Sequence, residues 1–351
     1  MEFSKVLIDW YLRNKRDLPW RNTKDPYYIW LSEIILQQTR VAQGLPYYFK
    51  FIETFPSVQE LAAAPLEKVL KVWQGLGYYS RARNLHETAT FIASELNGRF
   101  PDNYKDLIKL KGVGDYTASA IASTCFNESV AAVDGNVYRV LARYFEIDTP
   151  INSSKGMKEF RNLSQELLGE EHPWYYNQAI MEFGATHCTP KQPLCNSCPF
   201  SQSCLALKNN KVAELPVKIK AGKVKKRYFN YIVFRSPDDH TILEKRSGKG
   251  IWEGLYQFPL IETREMLTAA EFSRFDEFTR IKGDDVEEVT LYNDLPVIHK
   301  LTHQHIYTRF WIVDKKEVKQ NSVKFSKVKY YPVPVLIANF IREYDLSSST
   351  Y

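Results

Sequence analysis

No stretch of the 351 residues approaches the about 18 consecutive apolar positions that a membrane-crossing helix needs. The opening Met1-Glu2-Phe3-Ser4-Lys5 lacks a basic segment followed by an apolar one, so no export leader is read there and a cytoplasmic protein is expected. Internal repeats and low-complexity tracts are missing, which sets aside repeat architectures. An acidic surplus is also lacking: 47 Lys and Arg against 41 Asp and Glu leave a net charge of +6. That balance favours an anionic partner such as nucleic acid without requiring one. Cysteine is scarce, with five in the chain, and unevenly placed. Cys125 stands alone, whereas Cys188, Cys195, Cys198 and Cys204 crowd together. Clustered thiols in a chain without an export leader point to a metal site before disulfides.

What is present suggests two domains, since 351 residues exceed what one core usually organises. The apolar share of 44% and mean hydropathy of −0.38 are those of an ordinary soluble protein. Residues 1–206 carry apolar positions at helical spacing, as in Ile29-Trp30-Ile34-Ile35 and Val69-Leu70-Val72-Trp73, broken by Pro and Gly. An all-α domain of many short helices is expected. Residues 207–227 contain Lys211, Lys218, Lys220, Lys223, Lys225, Lys226 and Arg227 with Glu214 as the one acid, and read as a basic extended linker. From 228 to about 345 strand signals dominate, at Tyr228–Phe234, Thr241–Leu243 and Ile306–Val313, with an apolar helix at Val335–Ile341. This second domain reads as α+β.

Three local patterns carry chemistry. The four clustered cysteines are separated by six, two and five residues, and Pro190, Pro193 and Pro199 stiffen the loop between them. Zinc and a [4Fe–4S] cluster both accept four thiolates, although the paired Cys-x2-Cys spacing of zinc ribbons is absent. In Leu110-Lys111-Gly112-Val113-Gly114-Asp115-Tyr116, two glycines one residue apart open a helix of small residues. Such a turn leaves backbone N–H groups able to meet a phosphate, with Asp115 as an unexpected negative charge beside it. Third, Asp134 precedes Gly135-Asn136 and could simply cap a helix. Glu33 sits among Leu31, Ile34 and Ile35 and could simply face solvent.

Together these segments resemble the adenine DNA glycosylase family of the helix-hairpin-helix, endonuclease III superfamily. The resemblance rests on Arg16-Asp17-Leu18-Pro19-Trp20-Arg21, on Trp30-Leu31-Ser32-Glu33 with Gln37-Gln38-Thr39, and on Gly75–Arg81. It also rests on Gly112-Val113-Gly114, Val133-Asp134-Gly135 and the cysteine spacing. It implies a helix-hairpin-helix glycosylase domain over 1–206, closed by a [4Fe–4S] loop at 188–204 held by the four cysteines. After the linker it implies a Nudix-like domain over 228–345 that recognises 8-oxoguanine. The implied partner is duplex DNA holding adenine opposite 8-oxoguanine or guanine, met by a monomer associated with the nucleoid.

Cleaving an N-glycosidic bond needs one acid to protonate the leaving base and one carboxylate to steady an oxocarbenium-like sugar. The resemblance assigns the first role to Glu33, whose apolar neighbours would raise its pKa, and the second to Asp134 beside Asn136. Where endonuclease III-like enzymes carry a Schiff-base lysine this chain has Tyr116, whose phenol cannot form an imine, so hydrolysis without strand cleavage is expected. Arg16, Trp20, Arg21 and Gln178 are assigned to an adenine pocket. DNA contacts are assigned to Gln38, Thr39, Leu76, Tyr78, Gly112, Val113 and Gly114. In the second domain Gly250-Ile251-Trp252 through Phe258-Pro259 matches the family's run, but no Arg-Glu-x2-Glu-Glu box follows. The family's Phe-Ser-His reading loop becomes Leu301-Thr302-His303, with leucine replacing phenylalanine. The alternatives are a bifunctional lyase, which Tyr116 argues against, and a non-catalytic DNA-binding iron–sulfur protein, which would require Glu33 and Asp134 to be idle.

Overall fold

The computed structural model describes residues 2–169, 171–220, 222, 224–318 and 322–348. Lys223 of the basic segment lies outside them. The chain divides into two compact units, residues up to 63 with 84–220, and residues 64–83 with those after 220.

The first unit is helical. Its central helix, Pro26–Leu36, begins where the Asp25 carboxylate accepts from Tyr27 N at 2.8 Å and Pro26 supplies a first position that needs no donor. Tyr27, Ile29, Trp30, Leu31, Ser32, Ile34 and Ile35 are all buried, so this helix is enclosed on nearly every side. Full burial of a side chain such as Leu31 or Ile35 contributes roughly 2 kcal/mol. The helix packs against Val41–Thr54 and against Asp115–Cys125, whose Ala118, Ser119, Ala120 and Ala122 allow close approach. A second core gathers Leu7, Tyr11, Val137, Leu141, Phe160, Tyr176 and Ile180. There Gly135–Tyr144 meets Pro173–Thr186 so closely that a Cβ on Gly184 would lie 2.6 Å from the Cβ of Asn136. Only glycine fits at that crossing.

In the second unit the strands are β1 (Lys225–Arg235), β2 (His240–Ile242), β3 (Glu244–Lys245), β4 (Tyr256–Gln257), β5 (Leu260–Thr263), β6 (Val286–Leu291), β7 (Val297–Lys300), β8 (Gln304–Lys315) and β9 (Ser322–Lys324). The long central pair β1 and β8 is parallel, in register from Lys225 opposite Gln304 to Arg235 opposite Asp314. Around it β5 pairs antiparallel with β1, while β6 and β7 pair antiparallel with successive stretches of β8. Asn230 through Arg235 is buried up to its last residue, the continuous run expected of a strand covered on both faces. Ile232, Phe234, Ile261, Phe272, Trp311 and Val313 form its core. The expected α+β character holds.

The segment read as a linker is folded in at both ends. Leu215 is buried and Val212 and Val217 pack against the core of the first unit, while Lys225, Lys226 and Arg227 are already part of β1. Lys211, Lys218 and Lys220 are exposed around the apolar anchors Val212, Leu215 and Val217.

Candidate active site

Glu33 is the one carboxylate on the enclosed helix Pro26–Leu36, and it borders a cleft of about 460 Å³. The cleft also receives Arg16, Trp20, Arg21, Tyr116, Asp134, Asn136 and Gln178, so the assigned acids and the assigned adenine pocket come together in one place. Gln38 and Thr39 lie at the same cleft, just after the helix ends, and Gln38 has a φ of 56°.

The two acids are held differently. Burial pushes Glu33 up to about 7, with the nearby charge of Asp134 acting in the same direction and a hydrogen bond with Tyr116 partly opposing it. At neutral pH it therefore keeps a substantial share of its proton. Asp134 caps the helix Gly135–Tyr144: its Oδ1 accepts from Asn136 N at 2.8 Å and Val137 N at 2.9 Å, and its Oδ2 from Asn136 Nδ2 at 2.7 Å. Burial is the largest influence on Asp134 and leaves its pKa raised, while those three donors, the helix N-terminus and Arg139 favour its ionised form and limit the rise. Of the two simple readings, the cap holds for Asp134, which also faces the cleft, and the solvent-facing one fails for Glu33. The Tyr116 hydroxyl donates to Met181 Sδ at 3.3 Å and is close enough to Glu33 to favour its ionised form.

The cleft wall depends on a residue the sequence reading did not single out. Glu182 is 1% exposed and accepts from Arg16 Nε and Nη2 at 2.7 Å each, from Arg16 N at 3.0 Å and from Arg21 Nη2 at 2.8 Å. Burial alone would raise Glu182, but the hydrogen bonds from Arg16 and Arg21 outweigh it and hold the carboxyl at about 2. Arg21 Nε also donates to Gln178 Oε1 at 3.1 Å. A guanidinium can only donate, so the Gln178 amino group is left to point elsewhere.

At the glycine turn, Gly112 needs its identity because φ is 77° and a Cβ would meet Asn84 at 2.8 Å. Gly114 faces open space and caps helix Asp115–Cys125 without a side-chain hydrogen bond, so no capping side chain occupies the first-turn N–H groups. Val113 departs from its expected role: its side chain is buried, and its N–H donates to Leu110 O at 3.1 Å. The charge of Asp115 is also accounted for, since Arg161 lies 2.8 Å away and Tyr104 OH donates to it at 2.5 Å. The carboxylate is matched by its own cation rather than opposing an incoming phosphate.

The four clustered cysteines line one apolar cavity with Arg143, Phe183, Phe200 and Leu207. Among the described residues no three Cys, His, Asp or Glu side chains converge as a single bound ion would require. Arg139 and Arg143, both buried on the Asp134-capped helix, tie the loop down. Arg139 Nε donates to Cys188 O at 2.7 Å, and Arg143 Nη1 approaches Cys188 Sγ at 3.4 Å and Thr189 O at 2.8 Å.

Residues 31–166 match the family model of the HhH-GPD superfamily base excision DNA repair proteins, and residues 230–343 match the NUDIX domain. The adenine DNA glycosylase of Buchnera aphidicola subsp. Baizongia pistaciae is 35% identical over 317 residues, covering 90% of this chain and 87% of that protein. The chain belongs to the adenine DNA glycosylase family. The mouse member is 45% identical over 213 residues, 58% of this chain and 41% of that protein. A thermostable thymine-DNA glycosylase superposes with a TM-score of 0.55 at 30% identity, over 59% of this chain and 96% of that one. Endonuclease III bound to DNA shares the fold, with a TM-score of 0.52 at 23% identity over 60% of this chain and 96% of that one.

In this family member the second unit holds the remaining assigned residues. Tyr78, Thr302 and His303 are exposed and border one cavity of about 350 Å³, together with Gly77, Trp252 and Lys300. Leu76 differs from expectation, because its side chain is only 6% exposed and just its backbone could meet a base. His299 stacks at a tilt on Trp252, 5.6 Å between centres, and burial lowers its pKa.

Proposed function

We propose that this chain hydrolytically removes adenine mispaired with 8-oxoguanine in duplex DNA. The observation that carries the reading is Glu33, kept near neutrality by burial, in the same cleft as Asp134. Adenine must leave the stack to reach such a cleft. Glu33 then gives its proton to N7 of the purine, which weakens the bond from N9 to the sugar carbon. As that bond breaks, positive charge develops on the sugar, and the Asp134 carboxylate, fixed by Asn136, stabilises it. Water adds to the sugar carbon and releases a proton, leaving free adenine and an abasic site. Arg16, Arg21, Trp20 and Gln178 hold the base, and Glu182 fixes the two arginines. With no amine at Tyr116 the chain makes no imine and leaves the strand intact.

Thr302 and His303 are placed by this reading against the 8-oxoguanine, with Tyr78 and Gln38 entering the stack. The turn at Gly112-Val113-Gly114 meets phosphate through the N–H groups that follow Gly114. Cys188, Cys195, Cys198 and Cys204 would hold a [4Fe–4S] cluster. All four cysteines border one small apolar cavity, and four thiolates are the ligand set such a cluster takes. When bound, it would fix the loop as a DNA-docking element.

The test is a labelled duplex with one adenine opposite 8-oxoguanine. Free adenine should be released, with strand breaks only after alkali and visible absorbance from the purified protein. Strand cleavage without alkali, together with a borohydride-trapped adduct, would favour the lyase. Binding without any release would favour a non-catalytic protein.

A further inference from the structure

Within the first unit Tyr104, Asp115 and Arg161 come from three different helices, Tyr104–Leu107, Asp115–Cys125 and Ser154–Leu168, and close into one network. Arg161 Nη1 lies 2.8 Å from Asp115 Oδ1, Arg161 Nη2 donates to Tyr104 OH at 3.0 Å, and Tyr104 OH donates to Asp115 Oδ1 at 2.5 Å. We propose that Arg161 is a further DNA contact. Held in place by Asp115 and Tyr104, its guanidinium binds a backbone phosphate at the mouth of the acid cleft. The inference rests on the reading of that cleft as the place into which adenine is drawn from a duplex.

The neighbours of Arg161 fix where it sits. Phe160, the residue before it, is buried and meets Tyr138 edge to face, 5.3 Å between ring centres. Tyr138 is itself part of the cleft wall, along with Asp134 and Asn136. Burial raises the Tyr138 phenol, and the charges of Asp115 and Arg161 act on it in opposite directions, so the three groups share one neighbourhood. From the other side, Asp115 is followed by Tyr116, which also borders the cleft. A nucleotide whose base enters the cleft keeps its phosphates one sugar away, at this rim.

A phosphate needs donors that are still open, and Arg161 keeps them. Of the five N–H donors of a guanidinium, Asp115 and Tyr104 occupy two, and among the described residues the others meet no acceptor. The side chain is 43% exposed, so those donors face an incoming oxyanion. Its pose is already set before DNA arrives, because the guanidinium also lies over the Tyr104 ring, 5.3 Å from its centre, and less freedom is lost on binding. Asp115 finds its reason in the same arrangement. A bare carboxylate at this turn would repel a phosphate, whereas one that aims a cation at it contributes to binding. Arginine suits the place better than lysine, since its planar fork serves the carboxylate on one edge and a phosphate on another.

The test is affinity for a fluorescent duplex holding 2′-fluoro-2′-deoxyadenosine opposite 8-oxoguanine, measured across about 50–200 mM salt. The fluorine disfavours positive charge on the sugar, so the duplex is bound and not cut. Arg161→Ala should weaken binding about tenfold and reduce the slope of log affinity against log salt by about 0.9, the share of one phosphate. The loss should be the same with guanine in place of 8-oxoguanine, because a phosphate contact carries no base information. Arg161→Lys should keep the slope and lose part of the affinity. Adding Asp115→Asn to Arg161→Ala should recover part of the affinity, since the unmatched carboxylate is gone, with the slope still reduced. Arg235→Ala breaks another partly exposed pair, with Asp314 at the far end of β1 from the Lys225–His303 contact, and should change neither quantity. An unchanged slope in Arg161→Ala, whatever happens to its melting temperature, overturns the contact and leaves the adenine site standing. If the unaltered protein does not bind the duplex, the reading of the cleft fails and takes the inference with it.

Discussion

The acid cleft of the first unit and the exposed surface of the second treat water in opposite ways. In the cleft Glu33 is raised by burial, Asp134 accepts three N–H groups, and Glu182 is locked by two arginines. Around Thr302 the polar side chains remain exposed, with a single side-chain hydrogen bond linking Tyr78 to Thr302. On the proposed reading the contrast follows from two different tasks. Proton transfer near pH 7 needs a carboxyl that is already desolvated before substrate arrives. Recognition of a base edge needs donors and acceptors that stay open until the base displaces water. The first site is preorganised by burial, the second by tethering.

The most severe way to break that comparison is Glu33→Gln. The amide cannot supply the proton, so excision should fall by about 10³-fold while duplex affinity changes little, measured by single-turnover kinetics and by binding to an uncleavable duplex. In the unaltered protein the rate should decline as pH rises through about 7, since Glu33 is active when protonated and its pKa is raised to that value. If Thr302→Ala caused an equal loss of rate on A·G, the division between a chemical site and a reading site would not stand.

How legible this was differs between residues for physical reasons. The cysteine spacing, the glycine turn and the run Leu31-Ser32-Glu33-Ile34-Ile35 are local, and local pattern suffices for them. Strand β1 was visible because burial on both faces writes a nearly continuous apolar run, and strand β8 because Ile306–Phe310 alternates before the apolar Phe310–Val313. β6 and β7 were not, since Val286–Leu291 and Val297–Lys300 are largely exposed and carry Glu287, Glu288 and Lys300 among their apolar positions. Glu182 was hidden because its partners lie more than 160 positions away. Arg139 and Arg143 did leave a signal, as cations four apart on the apolar side of a helix ask what carbonyls they reach. Leu76 and Val113 show the reverse case, in which a motif names a residue whose side chain is buried.

Glu182→Gln sharpens the comparison from the buried side. It removes the charge from a carboxylate that is 1% exposed and leaves Arg16 and Arg21 without their counter-ion. Loss of one partner from such a cluster should lower unfolding stability by about 3 kcal/mol in urea titrations, with excision down roughly tenfold as the pocket wall loosens. The matched control is Glu262→Gln, which breaks the more open pair with Arg227, 41% and 18% exposed at its two ends. That change should stay below about 1 kcal/mol. Equal losses in the two variants would mean that burial is not what distinguishes the cleft.

The smallest expected effect tests the cause of the raised acid directly. A folded-state pKa above the ordinary glutamate value means that Glu33 contributes most stability at low pH. That contribution is lost as pH rises through about 7, where the buried group must ionise. Glu33→Gln has no proton to lose. Relative to the unaltered protein it should therefore gain about 1–2 kcal/mol between pH 5 and pH 8, less than full burial would give because the side chain borders an open cleft. Urea midpoints at the two pH values measure the difference. Parallel pH dependence in the two proteins would show that burial is not straining Glu33, and the acid would then need another source for its proton at neutral pH.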